Sequence, residues 1–188
     1  MSDSSEIDAA VSSDGIVPRD KVLRWIESAD DLTSLAGLYK LTGDGYYRIQ
    51  PELGKEAACT AVRKYLLECV RQNVEHDDEI ESRWEASRTL HLWLRRLHEL
   101  GGCSDEIEKT AEAITALFLS SGEEIRLAIE QGFLEHALES GGLRPYFEEW
   151  QKDERLRETW EAAMAWANDH PDWSWNMHQE LQAKISKE

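Results

Sequence analysis

The chain has 188 residues, 41% of them hydrophobic and 31% charged, which is enough for a domain with a sizeable core. Acidic residues outnumber basic ones 38 to 21, giving a formal net charge of −17. A surface that negative repels phosphate backbones and anionic lipid, so direct nucleic-acid binding is disfavoured and a basic protein is the favoured kind of macromolecular partner.

Residues 1–16, rich in Ser and Asp, read as a disordered acidic tail, and residues 17–188 as one all-helical domain. Pro18 suits a first helical turn, followed by Val22, Trp25 and Ile26 at helical spacing. Asp30 or Asp31 is placed to cap a short second helix carrying Leu32, Leu35, Leu38 and Tyr39. Gly43 and Gly45 around Asp44 mark a break, with Tyr46 to Ile49 as a short extended piece. A third helix fits residues 54–73, with its apolar stripe running from Ala58 to Val70.

Asp77 or Asp78 is expected to open a long fourth helix that stops at Gly101-Gly102. Ser104 is the expected cap of a fifth helix, helped by Asp105 and Glu106 through the helix dipole. A sixth helix spans 123–140 and is closed by Gly141-Gly142. Residues 144–151 and 153–169 read as a short and a longer helix ended by Pro171, and 172–187 as a final amphipathic segment. The fold class is all-α, with seven or eight helices in an irregular bundle or a short superhelix. The two Gly-Gly stops lie 40 residues apart, a spacing that fits the ~40–47-residue period of HEAT or armadillo repeats, although side chains do not align across it.

A helical wheel at ~100° per residue puts Ile125, Ile129, Gly132, Phe133 and His136 of the sixth helix on one arc, and Leu127, Leu134 and Leu138 opposite. Two apolar faces predict an inner helix, and Gly132 predicts close approach of a neighbour. His136 then reads as a packed imidazole or, in a functional reading, as a base or ligand. Glu135 cannot share its target, because consecutive helical residues diverge.

The remaining histidines of interest are His91 and His98. They sit seven apart on the fourth helix, a rise of ~10.5 Å that is too long for one metal ion. His91, His98 and His136 are the candidate ligand-binding residues. No metal site and no cofactor are indicated. The motifs H-E-x-x-H, G-x-S-x-G, G-x-x-x-x-G-K-S/T and G-x-G-x-x-G do not occur. Three cysteines (Cys59, Cys69 and Cys103), without C-x-x-C spacing, argue against disulfide and zinc frameworks and for small apolar residues in a reducing compartment. Arg88, Arg95 and Arg96 read as a solvated face with local ion pairs.

Eight tryptophans are a surplus for this length. Trp25, Trp84 and Trp160 lie on apolar stripes and are expected in the core. Trp173 and Trp175, two apart, are the candidate partner-binding residues, since Trp is enriched at interface hot spots. The N-terminus lacks the basic and apolar regions of a signal peptide, and no stretch matches a membrane span, so a cytoplasmic location is expected. The leading functional expectation is a non-catalytic acidic protein-binding module of adaptor, inhibitor or immunity type. The alternatives are an enzyme or small-ligand binder with an interhelical pocket of His and Trp, and an acidic nucleic-acid mimic.

Overall fold

In the computed structural model, residues 3–74 and 80–171 are described. Trp173, Trp175 and the segment expected over 172–187 lie outside the described residues, as do Asp77 and Asp78. Helices account for 75% of the structure, with almost no strand. The chain's contacts cluster into two units, Met1–Ser82 and Arg83–Glu188, so the division falls well after the expected boundary near residue 16.

Unit 1 contains α1 (Asp3–Val11), β1 (Val17–Pro18), α2 (Arg19–Ser28), α3 (Leu32–Thr42), a 3₁₀ turn (Tyr46–Arg48), β2 (Ile49–Gln50) and α4 (Lys55–Gln72). Helix α3 is its centre. Leu32, Ser34, Leu35, Ala36, Gly37, Leu38 and Leu41 are all buried, covering every side of the helix. Its N-cap is Asp31, whose carboxylate accepts from the Ser34 amide at 2.9 Å. Pro18 precedes α2 as its N-cap and belongs to β1, which pairs in parallel with β2 through Val17↔Ile49. The extended piece expected over Tyr46 to Ile49 is a 3₁₀ turn through Arg48, with strand only from Ile49. Cys59, Ala61, Tyr65, Leu66, Cys69 and Val70 form the buried stripe of α4. Tyr65 stacks on Tyr39 at 4.5 Å, and its hydroxyl accepts from the Glu81 amide at 3.0 Å.

In place of a disordered tail, residues 3–11 form a docked helix. Composition misleads here because one side chain anchors the segment. Ile7 is fully buried, and a Cβ on Gly37 would stand 2.6 Å from its Cγ2, so the glycine is the seat for the isoleucine. The far end is held by Arg48. Its guanidinium donates to the Ala10 carbonyl, to Gly15 O at 3.2 Å and to Ser13 Oγ at 3.3 Å, satisfying acceptors that a helix C-terminus leaves open.

Unit 2 contains α5 (Arg83–Leu100), α6 (Ser104–Ser120), α7 (Glu123–Ile129), a π-helical segment (Glu130–Leu134), α8 (Glu135–Glu139), a 3₁₀ helix (Arg144–Gln151) and α9 (Arg157–Asp169). The core face of α5 is Ala86, Ser87, Leu90, His91, Leu94 and Leu97. The first turn is rotated from the expected phase. Arg83 is buried and paired with Glu124 at 3.1 Å, while Trp84, expected in the core, is 45% exposed. Gly101 and Gly102 both adopt left-handed φ (70° and 63°), whereas Gly141 and Gly142 do not, so the two Gly-Gly stops do different jobs. The N-cap of α6 is Cys103 rather than Ser104, and no side chain caps it. No helix among the described residues is long and apolar enough to cross a membrane.

Two outcomes follow. Substituting Arg48→Gln should release α1. Hydrogen exchange over residues 3–11 should accelerate about ten-fold or more, the scale of losing a charge-assisted hydrogen bond, while α4 stays unchanged. All three thiols are buried, and burial pushes that of Cys69 up to about 12. The native chain should therefore leave a thiol reagent unreacted at pH 8, with all three cysteines titrating after denaturation.

Candidate functional site

From Glu123 to Glu139 the backbone is one rod interrupted by the π-segment. Ala128, Ile129, Gly132, Phe133, Leu134, Ala137, Leu138 and Glu139 are buried, so both expected stripes are covered over most of the rod. The exception is Leu127, 41% exposed near the N-terminal end. Gly132 sits where α5 passes, and a Cβ there would come within 2.9 Å of Ser87 Cβ and 3.2 Å of Trp84 Cε3. The predicted close approach is thus made by α5. The π-turn adds a residue to the helical repeat and so shifts the phase of everything after it. Even so, Gly132 meets Ser87 and His136 meets His91, one turn further along α5, so the two keep the common face that the wheel gave them, with His136 also held by Glu139.

His136 Nδ1 and Glu139 Oε1 are 2.6 Å apart, and the Glu139 side chain is fully enclosed. His91 of α5 brings its ring to 5.2 Å from that of His136. Trp166 of α9 meets His136 edge-on at 4.9 Å, and His170 stacks on Trp166 at 4.3 Å with its Nδ1 2.9 Å from the Trp166 carbonyl. Of the three histidines picked from sequence, His91 and His136 come together. His98 stands apart, exposed near the end of α5 and filling the space beside Gly142, where a Cβ would lie 2.2 Å from its Nε2. Glu139, Trp166 and His170 were not singled out. The i,i+3 spacing of His136 and Glu139 was the available signal for the first, because such residues share a helix face.

A carboxylate that holds an imidazole through Nδ1 leaves Nε2 for proton transfer, the arrangement of a general base. Here the imidazole packs against His91 and Trp166, and its side chain is only 12% exposed. No group of three His, Cys, Asp or Glu side chains among the described residues is placed to hold a metal ion. Nearby, Glu130 and Glu135 are half-buried. Burial raises both above the ordinary glutamate value of 4.5, and the Glu158 carboxylate raises Glu130 further. For Glu135, the charge of His136 opposes burial while that of Glu130 adds to it.

Open space lies on a different face of the same unit. A groove of about 1020 Å³ runs between α6 and the 3₁₀ helix 144–151. Its α6 wall is Glu108, Ala111, Glu112, Thr115, Ala116 and Leu119, residues at helical i,i+3 and i,i+4 steps. The opposite wall is Pro145, Tyr146, Glu149 and Trp150, with Leu156 at one end. Trp150 is 2% exposed, and its Nε1 donates to Thr115 Oγ1 at 2.8 Å. It packs on Phe118 at 5.1 Å and on Phe147 at 6.1 Å, so the floor of the groove continues directly into the core. Four carboxylates line the groove (Glu108, Glu112, Glu149 and Asp153) against one cation, Lys152. Lys152 is drawn to Glu149 at 2.5 Å. Asp153 is held at about 2 by hydrogen bonds from Arg155.

The raised carboxyls set a pH dependence. Each favours the folded state fully below the unfolded glutamate value and loses that contribution as pH rises through its raised folded value. The Glu130→Gln/Glu135→Gln variant should therefore melt about 1–2 °C above the parent at pH 8, with the difference closing near pH 4.5, as read by circular dichroism. No family model matches the chain, and comparison with curated proteins and with solved structures returns no match.

Proposed function

We propose that the protein is a non-catalytic, acidic, helical module that binds another protein of basic character, in the manner of an adaptor, inhibitor or immunity-type protein. The observation that carries this reading is the open groove beside α6, with an apolar floor of Ala116, Leu119, Pro145 and Tyr146 over the buried Trp150 and a rim of four carboxylates. An apolar floor inside a polar, charged rim is the usual anatomy of a protein-binding patch. The net charge of −17 acts in the same direction, raising the rate at which a basic partner is encountered. A second reading, a small-ligand binder at His91 and His136, has the ring contact in its favour. Against it, the imidazole is only 12% exposed and its Nδ1 is tied to a buried carboxylate.

The test is affinity capture from native cells, with the complex then rebuilt from purified components and titrated calorimetrically. A stoichiometric complex with a basic protein is expected, weakening at least ten-fold between about 0.05 M and 0.5 M salt as screening shortens. A complex insensitive to salt, or no stoichiometric partner at low salt, would overturn the reading. The His91→Phe variant should bind the partner as the parent does. A loss confined to that variant would favour the histidine site instead.

A further inference from the structure

We infer that the groove beside α6 receives an amphipathic helix of the partner, one that lays an apolar face over Ala116, Leu119 and Tyr146 and sets lysines or arginines against the carboxylate rim. This rests on the reading of the protein as a protein-binding module and specifies what that module recognises. The α6 wall spans residues 108–119, a length of ~16 Å or three helical turns. Its other groove-facing positions include Ala111, which is buried between the two glutamates, and Thr115 and Ala116 beyond them, which keep some exposure. Side chains that small let a second helix approach at the ~8–10 Å interaxial distance of packed helices.

The floor is preformed rather than adaptable. Trp150 is pinned to Thr115 by a hydrogen bond and wedged against Phe118, so docking orders little on this side. Charge chooses the occupant. Glu108 and Glu112 are exposed, one turn apart on the same wall, and among the described residues neither meets a cation. Lys152 and Arg155 are already committed to Glu149 and Asp153. The groove therefore presents an anionic rim along its α6 wall. A second copy of this chain would bring the same sign of charge. Residues 172–188 carry three carboxylates against two lysines and lack the positive face that the rim calls for.

The probe is a labelled synthetic peptide of about 15 residues, long enough to hold a helix on binding, with leucines at i, i+3, i+4 and i+7 and lysines elsewhere. Its control is a scrambled peptide of the same composition. Anisotropy titrations against the full chain at low salt should show the ordered peptide binding at least ten-fold tighter than the scrambled one. Glu108→Lys/Glu112→Lys should weaken it at least ten-fold, whereas Glu123→Lys/Glu161→Lys, an equal charge change on exposed sites outside the groove, should cost less than three-fold. Ala116→Arg, which fills the groove from an exposed position, should abolish binding with the circular dichroism melt unchanged. Equal losses in the two double variants, or equal affinity for both peptides, would overturn the groove while leaving an acidic binding surface intact. A dimer in sedimentation that Glu108→Lys/Glu112→Lys dissolves would assign the groove to a second copy and overturn the proposal. Failure of both peptides alongside a salt-sensitive complex with the captured protein would reject the helical occupant alone. Failure to capture any partner would remove the underlying reading.

Discussion

The constraint on which unit 2 depends is the enclosure of the rod from Glu123 to Glu139. A regular α-helix can turn one broad stripe to a core, but this one buries Ile129 and Phe133 together with Leu134 and Leu138. Two devices make that possible. The π-segment adds a residue to one turn and so changes which side chains face which neighbour. Gly132 removes the side chain where α5 crosses. A glycine in a helix costs ~1 kcal/mol relative to alanine, and each Leu or Phe fully buried returns ~1.5–3 kcal/mol. With several such residues enclosed, burial outweighs the local loss, and the irregular backbone persists because packing on every side holds it.

Enclosure makes every polar group on the rod a problem to be solved locally. Glu139 is solved by His136. Glu130 and Glu135 are left half-buried, and both shift toward the neutral form. The same economy governs the cations of both units. Arg48 and Lys64 hydrogen-bond carbonyls at the ends of α1 and α2, with Lys64 Nζ 2.7 Å from Ala29 O. Arg126 donates to Phe118 O at 3.0 Å, Arg144 to Leu138 O at 2.7 Å and Arg157 to Gln151 O at 3.0 Å. Each serves carbonyls at or near a helix C-terminus, where the dipole is negative. Basic side chains already scarce in the composition are thereby committed to backbone. The outward field of the protein is then set by its carboxylates.

What could be read from sequence was whatever depended on periodicity. The all-α class, the Asp31 cap, the inner position of the 123–140 helix and the packing role of Gly132 all follow from spacing. What could not be read depended on a single tertiary contact or on a broken period. The docking of α1 turns on one isoleucine over one glycine far along the chain, a pairing invisible to composition. Trp84 was assigned to the core by its position on a stripe, yet Arg83 took the buried place because Glu124 was there to meet it. The meeting of His91 with His136 lay beyond a wheel drawn for one helix, since it depends on which helix packs against that arc. The groove was missed for a related reason. The residues of its α6 wall look like an ordinary solvated stripe until the 3₁₀ helix 144–151 is laid beside them.

The two candidate sites differ in what they leave accessible. A reacting group needs access and room for a substrate within ~3 Å of the atom that moves a proton. His136 is short of both, since its ring packs against His91 and Trp166, its side chain is 12% exposed and its carboxylate partner is sealed. Binding needs the reverse: rigid apolar surface left open and charge left unspent. Ala116, Leu119, Pro145 and Tyr146 supply the first, and the buried Trp150 beneath them, held by its hydrogen bond and aromatic neighbours, keeps that surface fixed. Glu108 and Glu112 supply the second, because the cations that would neutralise them are tied to backbone or to other carboxylates. With His91 and His136 packed away and these carboxylates left open, the physical arrangement argues for a surface shaped to be covered.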